Sequence, residues 1–252
     1  RGEQPVQVPL VRAGEVVHRP GLDEIREFAA AALDSLPTGA RSVAAGPAYL
    51  STTDHDEERE EDTMNAQGKR GLIVVDVQND FVEGGSLGVT GGHEVARRIS
   101  EHLAANAGDY TLIAASRDWH LGGHEDGETN GGHFHEPGTD PDYVTTWPVH
   151  CVQGEAGSEY APELVTDAVT HHVVKGMGEP AYSAFEGVTD AGERLADLLR
   201  AAGVTEVDIT GIATDHCVRA TALDAVREGF GTTVLLDLVA AVAPETTQAA
   251  LE

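Results

Sequence analysis

The sequence has only two cysteines, few aromatic residues, little lysine and no long apolar run. Cys151 and Cys217 are too few for a disulfide framework, so a reducing cytoplasm is the expected compartment. No apolar run reaches the ~20 residues needed to cross a bilayer, and the chain does not open on a signal-peptide pattern. Acidic residues number 43 against 16 basic ones, for a formal net charge of −27. This charge argues against nucleic acid and membrane surfaces as partners.

Lysine occurs at Lys69 and Lys175 alone, whereas arginine supplies the remaining basic residues. An acid excess with few lysines is typical of a salt-adapted host. A GC-rich genome that favours arginine codons would give the same shortage of lysine, so both explanations stay open.

Composition divides the chain into three zones. Residues 1–50 contain a short apolar stretch and a helical pattern, and form a tail. Residues 51–70 are an acidic flexible linker, because the like-charge block at 54–62 cannot bury surface. Residues 71–252 form the main domain. The chain opens on Arg1 and stops within a helical pattern, so we expect it to be part of a longer protein.

The main domain alternates strand and helix patterns, which predicts an α/β fold with a mostly parallel sheet. Apolar residues at helical spacing predict three helices, ended by Gly108, Gly203 and Gly229. Short buried-type runs predict five strands, at about 72–75, 110–115, 173–174, 207–212 and 233–238.

Polar residues follow the first four of these strands. Asp76 follows the first, Asp118 and His120 the second, Lys175 the third and Cys217 the fourth. Parallel sheets bind ligands at the carboxyl ends of their strands, so these side chains should meet at one edge.

Cys217 lies between a strand and a helix, where a helix N-terminus would favour the thiolate. The turn would also aim backbone N–H groups at one point, as an oxyanion hole does. Asp76 could take the thiol proton and Lys175 could stabilise the charge. The alternatives are a buried structural cysteine, a capping aspartate and an exposed surface lysine.

Histidines and one aspartate form a second group. Asp118 and His120 are two residues apart, and His150 lies in a separate segment. Such ligands suit Zn²⁺, Fe²⁺ or Mn²⁺, with water in the open positions. Three further histidines lie between these segments: His124, His133 and His135.

Taken together, these motifs resemble the bacterial nicotinamidases and pyrazinamidases of the isochorismatase-like hydrolase superfamily. The resemblance spans nearly all of residues 71–252, in the order of the family. It is carried by LIVVDVQNDFVEGGSL at 72–87, RDWH at 117–120, WPVHCVQ at 147–153, YSAFEG at 182–187 and GIATDHCVRATALDA at 211–225.

The resemblance implies a three-layer αβα fold whose final helix and strand are truncated here. It implies hydrolysis of nicotinamide, and of pyrazinamide, to the acid and ammonia, in NAD salvage. It also implies one divalent metal ion, with zinc favoured over iron or manganese. The implied residues are a catalytic triad of Asp76, Lys175 and Cys217; metal ligands Asp118, His120, His133 and His150; ring-binding Phe81, Trp147 and Tyr182; and oxyanion amides of Ala213 and Cys217 beside a cis peptide at Ile212–Ala213.

Two departures from the family matter: the chain ends early, so that the final helix is cut and the sixth strand is absent, and one loop differs. The segment 121–130 is longer and more acidic than in compact members, which leaves the choice among His124, His133 and His135 open. Residues 6–17 resemble the C-terminal tail of nicotinate phosphoribosyltransferases. A natural fusion of two salvage enzymes would explain this, and so would two adjacent genes read as one, with Met64 as the true start.

Three competing functions can be distinguished by the residues that each requires. Amidases of carbamoyl or ureido compounds resemble this chain in the triad but lack the Asp/His metal cluster. Isochorismatases lack the cysteine, so Cys217 weighs against them. A silent binding module would not need Asp76, Lys175 and Cys217 together. The oligomeric state stays open, with a homo-oligomer as one alternative.

Overall fold

The computed structural model describes residues 10–11, 68–123 and 129–242. In this part of the chain, six parallel strands form one sheet in the order β1-β6-β5-β2-β3-β4. The strands are β1 (Leu10–Val11), β2 (Lys69–Val75), β3 (Leu112–Asp118), β4 (His171–Lys175), β5 (Val204–Ile212) and β6 (Gly231–Ala240), and the α-helices are α1 (Gly92–Asn106), α2 (Leu195–Ala201) and α3 (Arg219–Arg227).

Both faces of the sheet are covered, which explains why its strands read as continuous apolar runs. Along β2, Leu72 and Val74 belong to one apolar cluster, which also contains the inner face of α1. Ile73 and Val75 belong to a second cluster, which contains the buried faces of α2 and α3. Successive side chains of a strand point to opposite faces. The predicted three-layer α/β fold is therefore confirmed.

The five predicted strands are all present. The second is displaced, because β3 begins at Leu112 and continues to Asp118. Its pairing with β4 continues to the last residue of both strands, where Asp118 lies opposite Lys175. Because β3 pairs with β4, the strand continues through polar residues, although the apolar pattern of the sequence ends before them.

The predicted helix ends are correct at two glycines of three. Gly203 and Gly229 adopt positive φ angles of 76° and 89° just after α2 and α3, a conformation that glycine adopts without a steric penalty. Gly108 does not end α1. It lies inside a 3₁₀ turn, Ala107–Asp109, that follows the helix directly.

The short strand β1 lies at the edge of the sheet. Leu10 and Val11 pair with Val234 and Leu235 of β6. The rest of the predicted tail, residues 51–67 of the predicted linker, His124 and the chain after Val242 lie outside the described residues. The predicted linker at 51–70 is too long at its end, because Lys69 and Arg70 pair with β5 as part of β2.

Strand order reverses direction at β2, which has β3 on one side and β5 on the other. The connections that leave β2 and β5 therefore diverge at the carboxyl edge and leave a crevice there, as open α/β sheets commonly do. Among the described helices, none is long and apolar enough to span a bilayer.

Candidate active site

Three polar side chains from three strands meet in the crevice: Asp76, Lys175 and Cys217, here called the trio. Asp76 follows β2 in the left-handed conformation, with φ of 49°. Lys175 ends β4, and its Nζ lies 2.9 Å from Asp76 Oδ2 and 3.9 Å from Cys217 Sγ. Ser116 donates a hydrogen bond of 2.7 Å to Asp76 Oδ1. The strand-end rule thus brings together residues that lie up to 141 positions apart (217 − 76).

Lys175 also forms an ion pair with Asp118, the carboxylate at the end of β3. The lysine side chain is fully shielded from solvent and so is that of Asp76. A buried ammonium is retained only when it is paired, and two carboxylates from neighbouring strands do so here. The alternative of an exposed surface lysine is therefore wrong.

Burial sets the protonation of the trio. Desolvation raises the pKa of Asp76, against the opposing effect of Lys175. It also raises the pKa of Cys217 well above its usual range, and the two nearby carboxylates add to this effect while Lys175 opposes it. This direction is opposite to the expectation that a helix N-terminus favours the Cys217 thiolate, because burial disfavours the charged form.

Cys217 lies in a π-helical turn, Thr214–Val218, between β5 and α3. Such turns are rare and occur often at functional sites. The Ile212–Ala213 peptide bond before it is cis, as the resemblance implies. Ala213 and Cys217 both line a cavity at this edge.

The second group consists of His120, His133 and His150, here called the histidine group. All three are buried, and their ligand nitrogens lie within 4.8 Å of one another. Asp118 Oδ2 lies 3.8 Å from the Nε2 atoms of both His120 and His150. Buried His120 Nε2 and His133 Nδ1 have no hydrogen-bond partner. Four converging donors with unsatisfied nitrogens fit a divalent cation.

Backbone carbonyls orient two of these imidazoles. His120 Nδ1 lies 2.7 Å from the carbonyl oxygen of Gly176, and His150 Nδ1 lies 2.7 Å from that of Pro148. Each contact leaves Nε2 directed at Asp118, an arrangement that is usual for metal-binding histidines. Of the three histidines that the sequence leaves open, His133 joins the group; His135 is not a member of it.

Aromatic side chains line a cavity of about 450 Å³, whose wall also includes Cys217 of the trio and His133 and His150 of the histidine group. Phe81 and Trp147 both contribute to its wall. Trp147 Nε1 donates a hydrogen bond of 2.9 Å to the hydroxyl of Tyr182, a third wall residue. The three residues that the resemblance implies for ring binding therefore lie in one cavity with Cys217.

Sequence patterns did not reveal two buried amides that hold the site. Gln78 donates to the carbonyl oxygens of Asp118 and Ser158, at 2.8 and 2.9 Å, and accepts 2.8 Å from the Asp118 N–H. Asn130 bonds both backbone groups of Leu121, at 2.8 and 2.9 Å. Neither pairing has a local signal, because each joins segments by contacts that only folding creates.

Known proteins share this fold and these segments. The isochorismatase domain family matches residues 70–252. The nicotinamidase/pyrazinamidase of Mycobacterium tuberculosis is 53% identical over 183 residues, which cover 73% of this chain and 92% of that protein.

Two solved structures extend the comparison. The pyrazinamidase of Pyrococcus horikoshii in complex with zinc has a TM-score of 0.59 at 40% identity, over 73% of this chain and 92% of that one. PnC1 of L. infantum in complex with nicotinate also has a TM-score of 0.59, at 34% identity, over 73% of this chain and 86% of that one.

Proposed function

This chain belongs to the isochorismatase domain family, and from that premise we propose that it hydrolyses nicotinamide to nicotinate and ammonia through the thiol of Cys217. The observation that carries the proposal is the shared cavity, whose wall contains Cys217, two members of the histidine group and the aromatic side chains. The similarity of this chain to the M. tuberculosis nicotinamidase/pyrazinamidase, at 53% identity, supports nicotinamide as the substrate. Pyrazinamide is a second expected substrate for the same reason.

The mechanism starts from a protonated thiol. With the raised pKa of Cys217, the resting state holds a thiol beside the Asp76–Lys175 ion pair. Burial also raises the pKa of Asp76, which makes its carboxylate a stronger base than an exposed one. Asp76 therefore takes the thiol proton when substrate arrives, and the ammonium of Lys175 stabilises the new thiolate.

Acylation forms a thioester. Sγ of Cys217 attacks the carboxamide carbon, and the C=O electron pair moves to oxygen, where the N–H groups of Ala213 and Cys217 stabilise it. As the tetrahedral intermediate collapses, the C–N bond breaks and Asp76 passes its proton to the departing nitrogen. Ammonia leaves, and the acyl group stays on sulfur.

Deacylation uses water. Asp76, now a carboxylate again, removes a proton from a water molecule that attacks the thioester carbon. The S–C bond then breaks, the sulfur recovers its proton from Asp76, and nicotinic acid loses its own proton to solvent. One residue thus serves as base and acid in both halves of the reaction.

We further propose that Asp118, His120, His133 and His150 hold one divalent cation, with zinc favoured over iron or manganese. When bound, the cation supplies a Lewis acid for the ring nitrogen of the substrate. Phe81 and Trp147 hold the ring by its faces, which orients the carboxamide toward Cys217. The Asp/His cluster supports this function over amidases of ureido compounds.

We also propose a location, a metabolic role and partners for this chain. A cytoplasmic location fits the two free cysteines, Cys151 and Cys217. A role in NAD salvage follows from the proposed product. A homo-oligomer, and a fusion to or gene adjacency with nicotinate phosphoribosyltransferase, stay predictions, and the mass of the native protein tests the last of these: an N-terminus near Met64 would exclude a fusion.

The test is ammonia release from nicotinamide by the purified full chain. The wild type should be active, should lose activity in a strong chelator and should regain it with zinc. Cys217→Ala should lower kcat by at least about a thousandfold, because it removes the nucleophile. Near-normal release by this variant would show that the scheme is wrong.

A further inference from the structure

We infer that Asp215 and His216 form a positioning pair that holds the indole of Trp147 flat against the substrate ring. The inference rests on the proposed function, since it concerns how the aromatic wall of that cavity is fixed. His216 lines the same cavity as Cys217. Neither member of the pair takes part in the chemical steps above.

The indole of Trp147 contacts three side chains of the described residues, of which Tyr143 meets it edge to face, with ring centroids 6.2 Å apart and planes at 86°. Trp147 Nε1 donates to the Tyr182 hydroxyl at 2.9 Å. The imidazole of His216 meets the indole edge to face, with ring centroids 5.2 Å apart and planes at 83°. One hydrogen bond fixes a point on the ring but leaves its tilt free. A second contact from another segment fixes the plane, which a stacked substrate needs.

A buried carboxylate lies beside His216. Asp215 Oδ1 lies 3.2 Å from His216 Nδ1, and the Asp215 side chain is only 1% exposed. The same oxygen accepts a hydrogen bond of 3.1 Å from the backbone N–H of Val242. His216 Nδ1 has no hydrogen-bond partner among the described residues, so the carboxylate acts on the imidazole through its charge and its close contact, from a place that the backbone after β6 fixes.

The backbone places this pair beside the nucleophile. The N–H of His216 donates 3.0 Å to the carbonyl oxygen of Ala213 within the π-helical turn. The turn that presents the Cys217 thiol thereby also presents the imidazole that supports Trp147. The same turn thus sets the direction from which Cys217 attacks and the orientation of the substrate ring. Small errors in such geometry are costly to the reaction rate.

The experiment measures nicotinamide binding without turnover. In the zinc-loaded Cys217→Ala protein, titration calorimetry gives the dissociation constant with and without a second substitution. His216→Ala should raise that constant about two- to tenfold, the value expected for one lost aromatic contact. His216→Phe keeps an aromatic edge and should stay within about twofold. Asp215→Ala removes the carboxylate beside the imidazole and should raise the constant toward that of His216→Ala.

A matched control is His172→Ala. His172 also contacts an aromatic ring, that of Tyr160 with centroids 5.6 Å apart, but is not part of the cavity wall. Its loss should leave nicotinamide binding unchanged. The inference would be overturned if His216→Ala left the dissociation constant of the Cys217→Ala protein unchanged. It would also be overturned if the parent Cys217→Ala protein did not bind nicotinamide.

Turnover by proteins that keep Cys217 separates a positioning role from effects on folding and on the chemical steps. His216→Ala should raise KM with kcat within about twofold of wild type, at a thermal midpoint close to that of wild type. A fall in kcat at unchanged KM would overturn the positioning role. Wild-type protein that releases no ammonia from nicotinamide would instead refute the proposed function, whatever the variants bind.

Discussion

The ammonium group of Lys175 is shared by carboxylates from two strands, and this sharing links the trio to the histidine group. One partner, Asp76, belongs to the trio, whereas the other, Asp118, faces His120 and His150. Lys175 and the two histidines hold the pKa of Asp118 well below its usual range despite burial. Asp118 is therefore a carboxylate at neutral pH, as a metal ligand must be.

Gly176 allows His120 to take its place. It has φ of 77°, and a Cβ built on it would lie 2.5 Å from His120 Cε1. Gly176→Ala should therefore displace the imidazole and weaken zinc binding about 10- to 100-fold, as loss of ligand support usually does. Competition with a coloured zinc chelator measures this.

Gly178 is the matched control for that substitution. Its φ of 83° imposes the same backbone strain, but a Cβ there would meet only a methyl of Leu121, at 3.1 Å. Gly178→Ala should keep zinc affinity within about threefold. Equal losses in the two variants would show that strain, and not the His120 contact, is responsible.

His133 gives the metal-free protein a predictable acid sensitivity. Burial, with His120 and His150 nearby, lowers the pKa of His133 to about 3. Below pH ~6.5 the unfolded chain binds a proton at this residue that the folded chain does not bind until about pH 3. Stability should thus fall as the pH falls through this window, by up to about 1.4 kcal/mol per pH unit.

Urea unfolding in chelator, at several pH values between 6.5 and 4, tests this. His133→Gln removes the titrating group and should make the decline shallower over the same range. His135→Gln is the comparison, since its side chain lies outside the histidine group. An unchanged slope in the His133 variant would contradict the assignment.

At the scale of elements, a polar network fastens α1 to the strands. The Tyr110 hydroxyl donates 3.0 Å to Asp208 of β5 and lies 2.9 Å from His102 Nε2 of α1. Arg70 of β2 lies 3.2 Å from the same carboxylate. Arg70 lies at the amino end of β2, Tyr110 precedes β3 and Asp208 lies midway along β5.

Tyr110→Phe should therefore separate stability from activity. It removes the hydroxyl that joins Asp208 to His102 and should lower the free energy of unfolding by about 1–2 kcal/mol. Ammonia release per folded molecule should stay within about twofold. Thermal unfolding and initial rates check the two parts, and a large loss of kcat with intact stability would show that this network reaches the site.

At the scale of the whole molecule, the net charge of −27 is the dominant electrostatic feature. Like charges repel more strongly in the compact state than in the expanded one, and salt screens this repulsion with a Debye length of about 10 Å at 0.1 M. The thermal midpoint should rise by several degrees between low salt and 1 M KCl.

The thermal midpoint in sucrose of the same osmolality is the control. It separates charge screening from stabilisation by excluded solutes, since a sugar does not screen charge. A midpoint that stays flat or falls with KCl would count against a salt-adapted surface. It would favour the explanation that codon usage produced the arginine bias.

The sequence by itself determined the fold class and most of the site. Strand and helix patterns located β2 and β4 to β6, because apolar periodicity is local and both faces of the sheet are buried. Because parallel sheets bind ligands at the carboxyl ends of their strands, the positions of Asp76, Lys175 and Cys217 after three strands predict that they meet. Motif order then predicted the family, which the match at 70–252 confirms.

Only the tertiary structure decided how those residues act on one another. It selected His133 over His135 for the histidine group, extended β3 to Asp118, and placed one ammonium between two carboxylates. It reversed the expected pKa shift of Cys217. The physical reason is common to all four: pairing, desolvation and charge proximity depend on groups far apart in the chain, and no local pattern records them.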